Sequence, residues 1–283
     1  MRSLKATFFK TYPENKRIIE YFEEATGCEF TLQNITAQNL HLYVELLKEK
    51  VSNNTARTYC SKVKAILKRF ADTYKLPKNF EKILSVRNES SIHTYLDQED
   101  IKRLIEYKPE SKAEQIIKYH FLLGLFTGAR YSDYIRFTEN NIKDGFLTYT
   151  SLKTRISATI PINRTVVKAL RFLDRMEGKT VFTEPYFNKT IKDICRKAGI
   201  KSQCMVHVGG KDMYDEKWLF VSSHTARRSF CTNLYINGVQ LLDISRMCGH
   251  SSITMTCRYI CCGPKIDKRI KRYLNSFDCF ELG

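Results

Sequence analysis

Residues 222–260 read SSHTARRSFCTNLYINGVQLLDISRMCGHSSITMTCRYI. A helix starting near Ser223 sets His224 and Arg227 one turn apart on one face, so both side chains can address a single anionic group. Gly249 ends the helix that follows and leaves His250 in a break, where Ser251 or Ser252 can cap a further helix carrying Tyr259. A helix N-terminus beside a cationic or hydrogen-bonding histidine suits a phosphate. Each residue also has a plainer reading: an H-x-x-R pair serves as a surface contact, and a tyrosine as a packed aromatic. The choice rests on the remainder of the chain.

At 283 residues the chain exceeds what one core comfortably supports, so two domains are expected, and 43% hydrophobic residues suffice to bury both. Lys and Arg number 47 against 30 Asp and Glu, a net charge of +17 with a pI near 9.4. That balance predicts a polyanionic partner, nucleic acid first. The first 90 residues and the remainder are each net basic, so both portions are expected to meet the polyanion. No apolar run approaches the roughly 20 residues of a membrane span, and the start MRSLKATFFKTYPENKRIIEYFEE lacks the apolar centre of a signal peptide. The expectation is a cytoplasmic protein with no membrane partner. The ten cysteines are scattered singly, as reduced thiols would be. Cys248, His250, Cys257, Cys261 and Cys262 invite a zinc reading but lack paired C-x2-C spacing, so no metal is expected.

The first ~85 residues read as helices. In TARTYCSKVKAILKRFADTY the positions Tyr59, Val63, Ile66, Leu67, Phe70 and Tyr74 form one apolar face. Arg57, Lys62, Lys64 and Lys68 occupy other faces, either as a solvated surface or as a DNA-contacting one. Thr36 is placed to cap ITAQNLHLYVELLKEK, and PENKRIIEYFEEATG opens at Pro13 and closes at Gly27. These give a helical domain over 1–86, followed by a linker over 87–95 where Ser, Asn and charge replace apolar periodicity. A second domain, 96–263, opens at a helix capped by Asp97, and an apolar helix AEQIIKYHFLLGLFTG stops at Gly128. FLTYTSLKTRISATIPI alternates on both sides of KTR and predicts a hairpin with Lys153 at or beside its tip. QCMVHV and KWLFVSS predict a second hairpin around the turn-rich GGKDMYDE. RTVVKALRFLDRM, YFNKTIKDICRKAG, TARRSFCTNLYING and QLLDISRMCG predict helices. A basic tail, 264–283, repeats apolar residues at helical spacing and is expected to contact a second protomer. The fold class is therefore mainly α with small β-hairpins.

TGARYSD at 127–133, SLKT at 151–154, HTAR at 224–227, CGH at 248–250 and Tyr259 resemble, in order and spacing, the tyrosine recombinase (phage integrase) family. NNTARTYCSKVKAILKRF resembles that family's helical core-binding (SAM-like) domain, and the resemblance covers nearly the whole chain. Its wording is most similar to compact Xer-like integrases and invertases of Bacteroides-type bacteria and their mobile elements. The resemblance implies a mixed α+β catalytic domain that performs DNA transesterification as integration, excision or inversion. The chain starts almost directly at the helical domain, which favours a compact recombinase without an arm-binding domain.

The resemblance makes Tyr259 the nucleophile and Arg130, Lys153, His224, Arg227 and His250 the activating residues. Guanidiniums match the charge on the non-bridging oxygens and stand in for a metal. Tyrosine hydroxyls ionise near about 10, so attack needs a nearby base or a positive field, which His224 and the arginines supply. Lys153 is expected to protonate the leaving 5′ oxygen and His250 to hydrogen-bond a phosphate oxygen. Asp133 is expected as a buried partner orienting the arginine or histidine cluster. The family pattern also implies no cofactor, double-stranded recombination sites as partner, a homotetramer on two duplexes, and a possible monomer without DNA. Where the family usually has leucine two before the second histidine, this chain has Cys248. A type IB topoisomerase and an inactive DNA-binding regulator are the competing readings.

Overall fold

The computed structural model describes residues 3–89, 91–176 and 182–261, so the tail 264–283 lies outside the described residues. The described residues divide into two compact units, one formed by those up to 91 together with 207–213 and the other by those from 92 to 206 together with 214–261.

In the first unit, helices α1 (Leu4–Thr11), α2 (Lys16–Thr26), α3 (Ala37–Lys50), α4 (Asn53–Lys68) and α5 (Phe80–Ile83) enclose one core. Thr36 Oγ1 accepts from Asn39 N and caps α3, and α2 ends on Gly27 in the left-handed region. The start of α2 differs from the expected one: its N-cap is Asn15, not a residue at Pro13. Val63, Ile66 and Leu67 of α4 are fully buried, as the 3.6-residue period requires. The expected linker is partly tethered. Asn54 exchanges two hydrogen bonds with the Glu89 backbone, at 3.1 and 3.2 Å.

The second unit starts with α6 (Gln98–Glu106), whose Asp97 forms a capping box with Asp100. It is centred on α7 (Lys112–Thr127), whose apolar residues Ile116, Ile117, Phe121, Leu122, Leu123 and Leu125 are all buried. The short α8 (Tyr131–Tyr134) follows the Gly128 break. Strands β1 (Ile142–Lys143), β2 (Phe146–Thr150) and β3 (Ser157–Pro161) make an antiparallel sheet, Leu147 facing Ile160 and Tyr149 facing Ala158. Then come α9 (Arg164–Asp174), α10 (Glu184–Lys197), the pair β4 (Gln203–Val208) and β5 (Lys211–Glu216), α11 (Ser223–Ile236), α12 (Leu241–Met247) and α13 (Ile253–Cys257).

Two expectations need correction. In the second hairpin the outgoing strand is KDMYDE, while KWLF is a 3-10 turn. The turn is Gly209–Gly210, with φ of 64° and 76°, the pair of positive values that a two-residue hairpin turn of matching twist demands. Tyr259 is also not on a helix. Ser252 caps α13 as anticipated, but that helix ends at Cys257 and Tyr259 lies in the turn beyond, its N–H bonded to Thr256 O at 2.9 Å.

Candidate active site

Gly128 ends α7 with φ 63°, and a Cβ there would lie 2.3 Å from the Phe230 ring and 3.0 Å from Cys248 Sγ. Glycine is thus required both by the backbone and by the close approach of α11. The tight turn releases two groups to the site: the Gly128 carbonyl and, two residues on, Arg130 at the N-cap of α8. Arg227, on α11, is 0% exposed; its Nη1 donates to Gly128 O at 2.7 Å and its Nη2 to Cys248 O at 2.9 Å. Arg130 is buried too, and donates to Ser151 Oγ at 3.1 Å. Among the described residues neither guanidinium has a carboxylate partner. Two buried, unpaired cations are costly in a protein interior unless an anion joins them.

His224 Nε2 lies 3.2 Å from Tyr259 Oη, and the Arg227 guanidinium stands 5.0 Å from the centre of the Tyr259 ring. His250 also stacks on the Tyr259 ring, with ring centres 5.0 Å apart and planes 15° from parallel. Its Nδ1 meets Thr256 Oγ1 at 2.9 Å. In the tautomer where Thr256 donates, Nε2–H is an unused donor, and Nε2 is indeed buried with no partner, as is Arg227 Nε. Burial, then the charges of Arg228, Arg227, Arg130 and Lys153, push His224 down to about 4. Burial, then Arg227 and Arg130, push His250 down to about 3. Both imidazoles are therefore neutral at pH 7, which leaves His224 Nε2 able to accept a hydrogen bond from the Tyr259 hydroxyl in a site rich in positive charge.

Lys153 is exposed in the turn between β2 and β3. That turn is closed by Arg155 N–H to Ser151 O at 2.9 Å and by Ser151 N–H to Ile156 O at 3.0 Å. Asp133, 1% exposed, accepts from Leu152 N at 2.9 Å. Its Oδ1 thus bonds the backbone beside Lys153 and lies 3.9 Å from Arg136 Nη2, and among the described residues no hydrogen bond joins it to Arg130, Arg227, His224 or His250.

The structure brings Arg130, His224, Arg227, His250 and Tyr259 together, with Lys153 near enough to lower the His224 pKa. The first-unit candidates are partly engaged locally. Lys62 donates to Asn15 Oδ1 at 2.6 Å and sits over the Tyr12 ring, Lys68 pairs with Glu81 at 2.7 Å, and Arg57 reaches Asn88 at 3.5 Å. Lys64 is half-exposed. Ser151, Thr256 and Arg228 were missed from the sequence. Ser151 had a readable signal: it continues the inward phase of Leu147 and Tyr149, so a hydroxyl there faces the interior. Among the described residues no group of His, Cys, Asp and Glu is arranged to hold a metal ion, and no helix is long and apolar enough to cross a membrane.

Residues 94–262, more than half of the chain, match the phage integrase family. Tyrosine recombinase XerA of Pyrococcus furiosus is 26% identical over 197 residues, covering 64% of this chain and 62% of that protein. The integrase of Escherichia phage P2 is 28% identical over 180 residues, covering 58% of this chain and 47% of that one. This chain spans less than two thirds of the length of these relatives. Among solved structures, the Tn1549 transposon integrase in complex with transposon right end DNA aligns with 96% of this chain and 100% of that one, at a TM-score of 0.67 and 15% identity. A lambda integrase dimer bound to a COC′ core site aligns with 88% of each chain at the same TM-score and 14% identity. At such identities the likeness is one of fold. These relatives do not bear on the Bacteroides-type affinity.

Proposed function

The chain belongs to the phage integrase family, and from that premise we propose that it is a site-specific tyrosine recombinase, which cuts and rejoins DNA through a 3′-phosphotyrosyl intermediate. One observation carries this reading: Tyr259 Oη lies 3.2 Å from neutral His224, beside two buried guanidiniums that have no carboxylate partner among the described residues. A scissile phosphate entering the site meets the unused donors. Arg130 and Arg227 offset charge on its non-bridging oxygens, and His250 Nε2–H adds a hydrogen bond. His224 takes the Tyr259 proton as the phenolic oxygen attacks phosphorus. The bond from phosphorus to the 5′ oxygen breaks, and Lys153 protonates that oxygen as it leaves.

The new ester retains the energy of the bond that was cut, so a 5′ hydroxyl from a second strand can attack it and complete the exchange. His224 and Tyr259 belong to one chain, so cleavage proceeds in cis. The substrate is a pair of double-stranded recombination sites in the cytoplasm or nucleoid. The helical domain, 1–86, binds the duplex around the core, and the catalytic domain, 96–263, performs the chemistry. Four protomers act on two duplexes.

On a nicked duplex, whose cleaved end diffuses away, the protein is expected to accumulate a covalent adduct and Tyr259→Phe to bind DNA yet form none. An adduct persisting in that variant would move the nucleophile elsewhere. A two-site recombination assay run beside relaxation of a supercoiled plasmid separates this reading from a type IB topoisomerase, which relaxes without exchange, and from a regulator, which does neither.

A further inference from the structure

The nucleophile has little secondary structure to hold it. Helix α13 has five residues, too few for a stable isolated turn, and Tyr259, Ile260 and Cys261 follow it without joining a helix or strand. The N–H groups of Tyr259 and Ile260 bond back to Thr256 O and Cys257 O, at 2.9 and 3.2 Å, while Tyr259 O and Cys261 N–H are both taken up by one side chain. Thr232 Oγ1, on α11, donates to Tyr259 O at 3.2 Å and accepts from Cys261 N at 3.0 Å. Cys261 Sγ adds weaker contacts to Tyr259 O at 3.8 Å and Thr94 O at 3.9 Å. Thr232 is 0% exposed, so its hydroxyl has no water to replace these partners, and both its donor and its acceptor capacity serve this segment. Its place on α11 matters. It lies two turns beyond His224 and five residues beyond Arg227 on the same rigid helix, itself fixed by Leu96 N–H to Ser229 Oγ at 2.8 Å and by Asn233 Nδ2 to Leu96 O at 2.8 Å.

We infer that Thr232 is a positioning residue for the nucleophile: its hydroxyl staples the backbone on both sides of Ile260 to α11, so that the helix holding the base and a guanidinium also sets the distance from Tyr259 Oη to His224 and to the phosphate. The inference rests on the recombinase reading. Attack depends steeply on geometry, and a displacement of about 1 Å costs on the order of a hundredfold in rate.

Thr232→Val keeps shape and volume and removes only the hydroxyl, and Thr232→Ala removes it with less bulk should valine fail to pack. Both are expected to bind DNA within about twofold of the unaltered protein and to slow single-turnover adduct formation on nicked DNA between about tenfold and a hundredfold. Thr232→Ser, which restores the hydroxyl, should return most of that rate. Incorporated 3-fluorotyrosine gives a direct readout, with the Tyr259 fluorine resonance assigned by its loss in Tyr259→Phe. In protein without DNA, that resonance should move or broaden in the valine and alanine variants and stay in place in the serine variant. Unchanged rates and resonance in valine and alanine variants, a serine variant as slow as they are, or a loss of DNA affinity in proportion to the loss of rate would each overturn the role. If the unaltered protein forms no adduct, the recombinase reading fails instead, and the fluorine resonance still tests whether Thr232 holds Tyr259.

Discussion

His250 shows how a single buried residue couples stability to pH. In the folded site its pKa is pushed down to about 3 by burial and by Arg227 and Arg130, against roughly 6.5 in an unfolded chain. Between those values the unfolded chain binds a proton that the folded site refuses. Stability is therefore complete above about pH 7 and drains away as the pH falls toward 3. His250→Gln removes that proton but leaves a polar group beside Thr256. In denaturant titrations the variant should gain on the parent by roughly 1–2 kcal/mol between pH 7 and pH 5. Parallel curves for the two proteins over that range would show that the imidazole is not held neutral. DNA should shrink the difference, because a phosphate beside the ring favours its charged form.

At the scale of elements, the β2–β3 turn links two buried side chains to one exposed one. Asp133 fixes Leu152 N, Ser151 holds Arg130, and Lys153 follows directly after these two anchors at the exposed tip. If Lys153 donates the proton to the leaving 5′ oxygen, Lys153→Ala should slow cleavage of ordinary DNA steeply, and far less where that oxygen is replaced by sulfur, which departs without a proton. Asp133→Ala should share the pattern in milder form, since it loosens only the turn, whereas Arg130→Ala should show no rescue. Equal losses for Lys153→Ala on both substrates would remove it as the acid. The sequence carried much of this arrangement: period-two alternation located the turn, Asp97 and Thr36 marked helix starts, and Gly128 marked the end of α7. The β4–β5 hairpin was misplaced because KDMYDE is exposed along nearly its whole length and so carries no buried-face alternation. The position of Tyr259 beyond α13 was hidden because its turn is set by the Thr232 side chain from a different helix, a contact no local pattern encodes.

For the whole molecule, a net charge of +17 predicts DNA affinity whose logarithm falls linearly with log salt, with a slope of about −0.9 for each phosphate neutralised. The residues on α4 allow that charge to be apportioned, because they are held differently. Lys64 is half-exposed, whereas the Lys62 ammonium donates to Asn15 at 2.6 Å and lies 5.3 Å from the Tyr12 ring centre, tying α4 to the start of the chain. A side chain committed in this way contributes to the first unit's packing before it contributes to phosphate binding. Lys64→Ala should therefore lower the salt slope by about 1 while leaving thermal stability nearly unchanged. Lys62→Ala should keep the slope and cost about 1 kcal/mol of stability through its lost charge-assisted hydrogen bond. Measuring affinity on one duplex from low to moderate salt, with melting curves of the same two variants, distinguishes the roles. If the Lys62 variant loses the slope and the Lys64 variant does not, the face of α4 that meets DNA is the one carrying Lys62, and the Asn15 bond must open when the duplex binds.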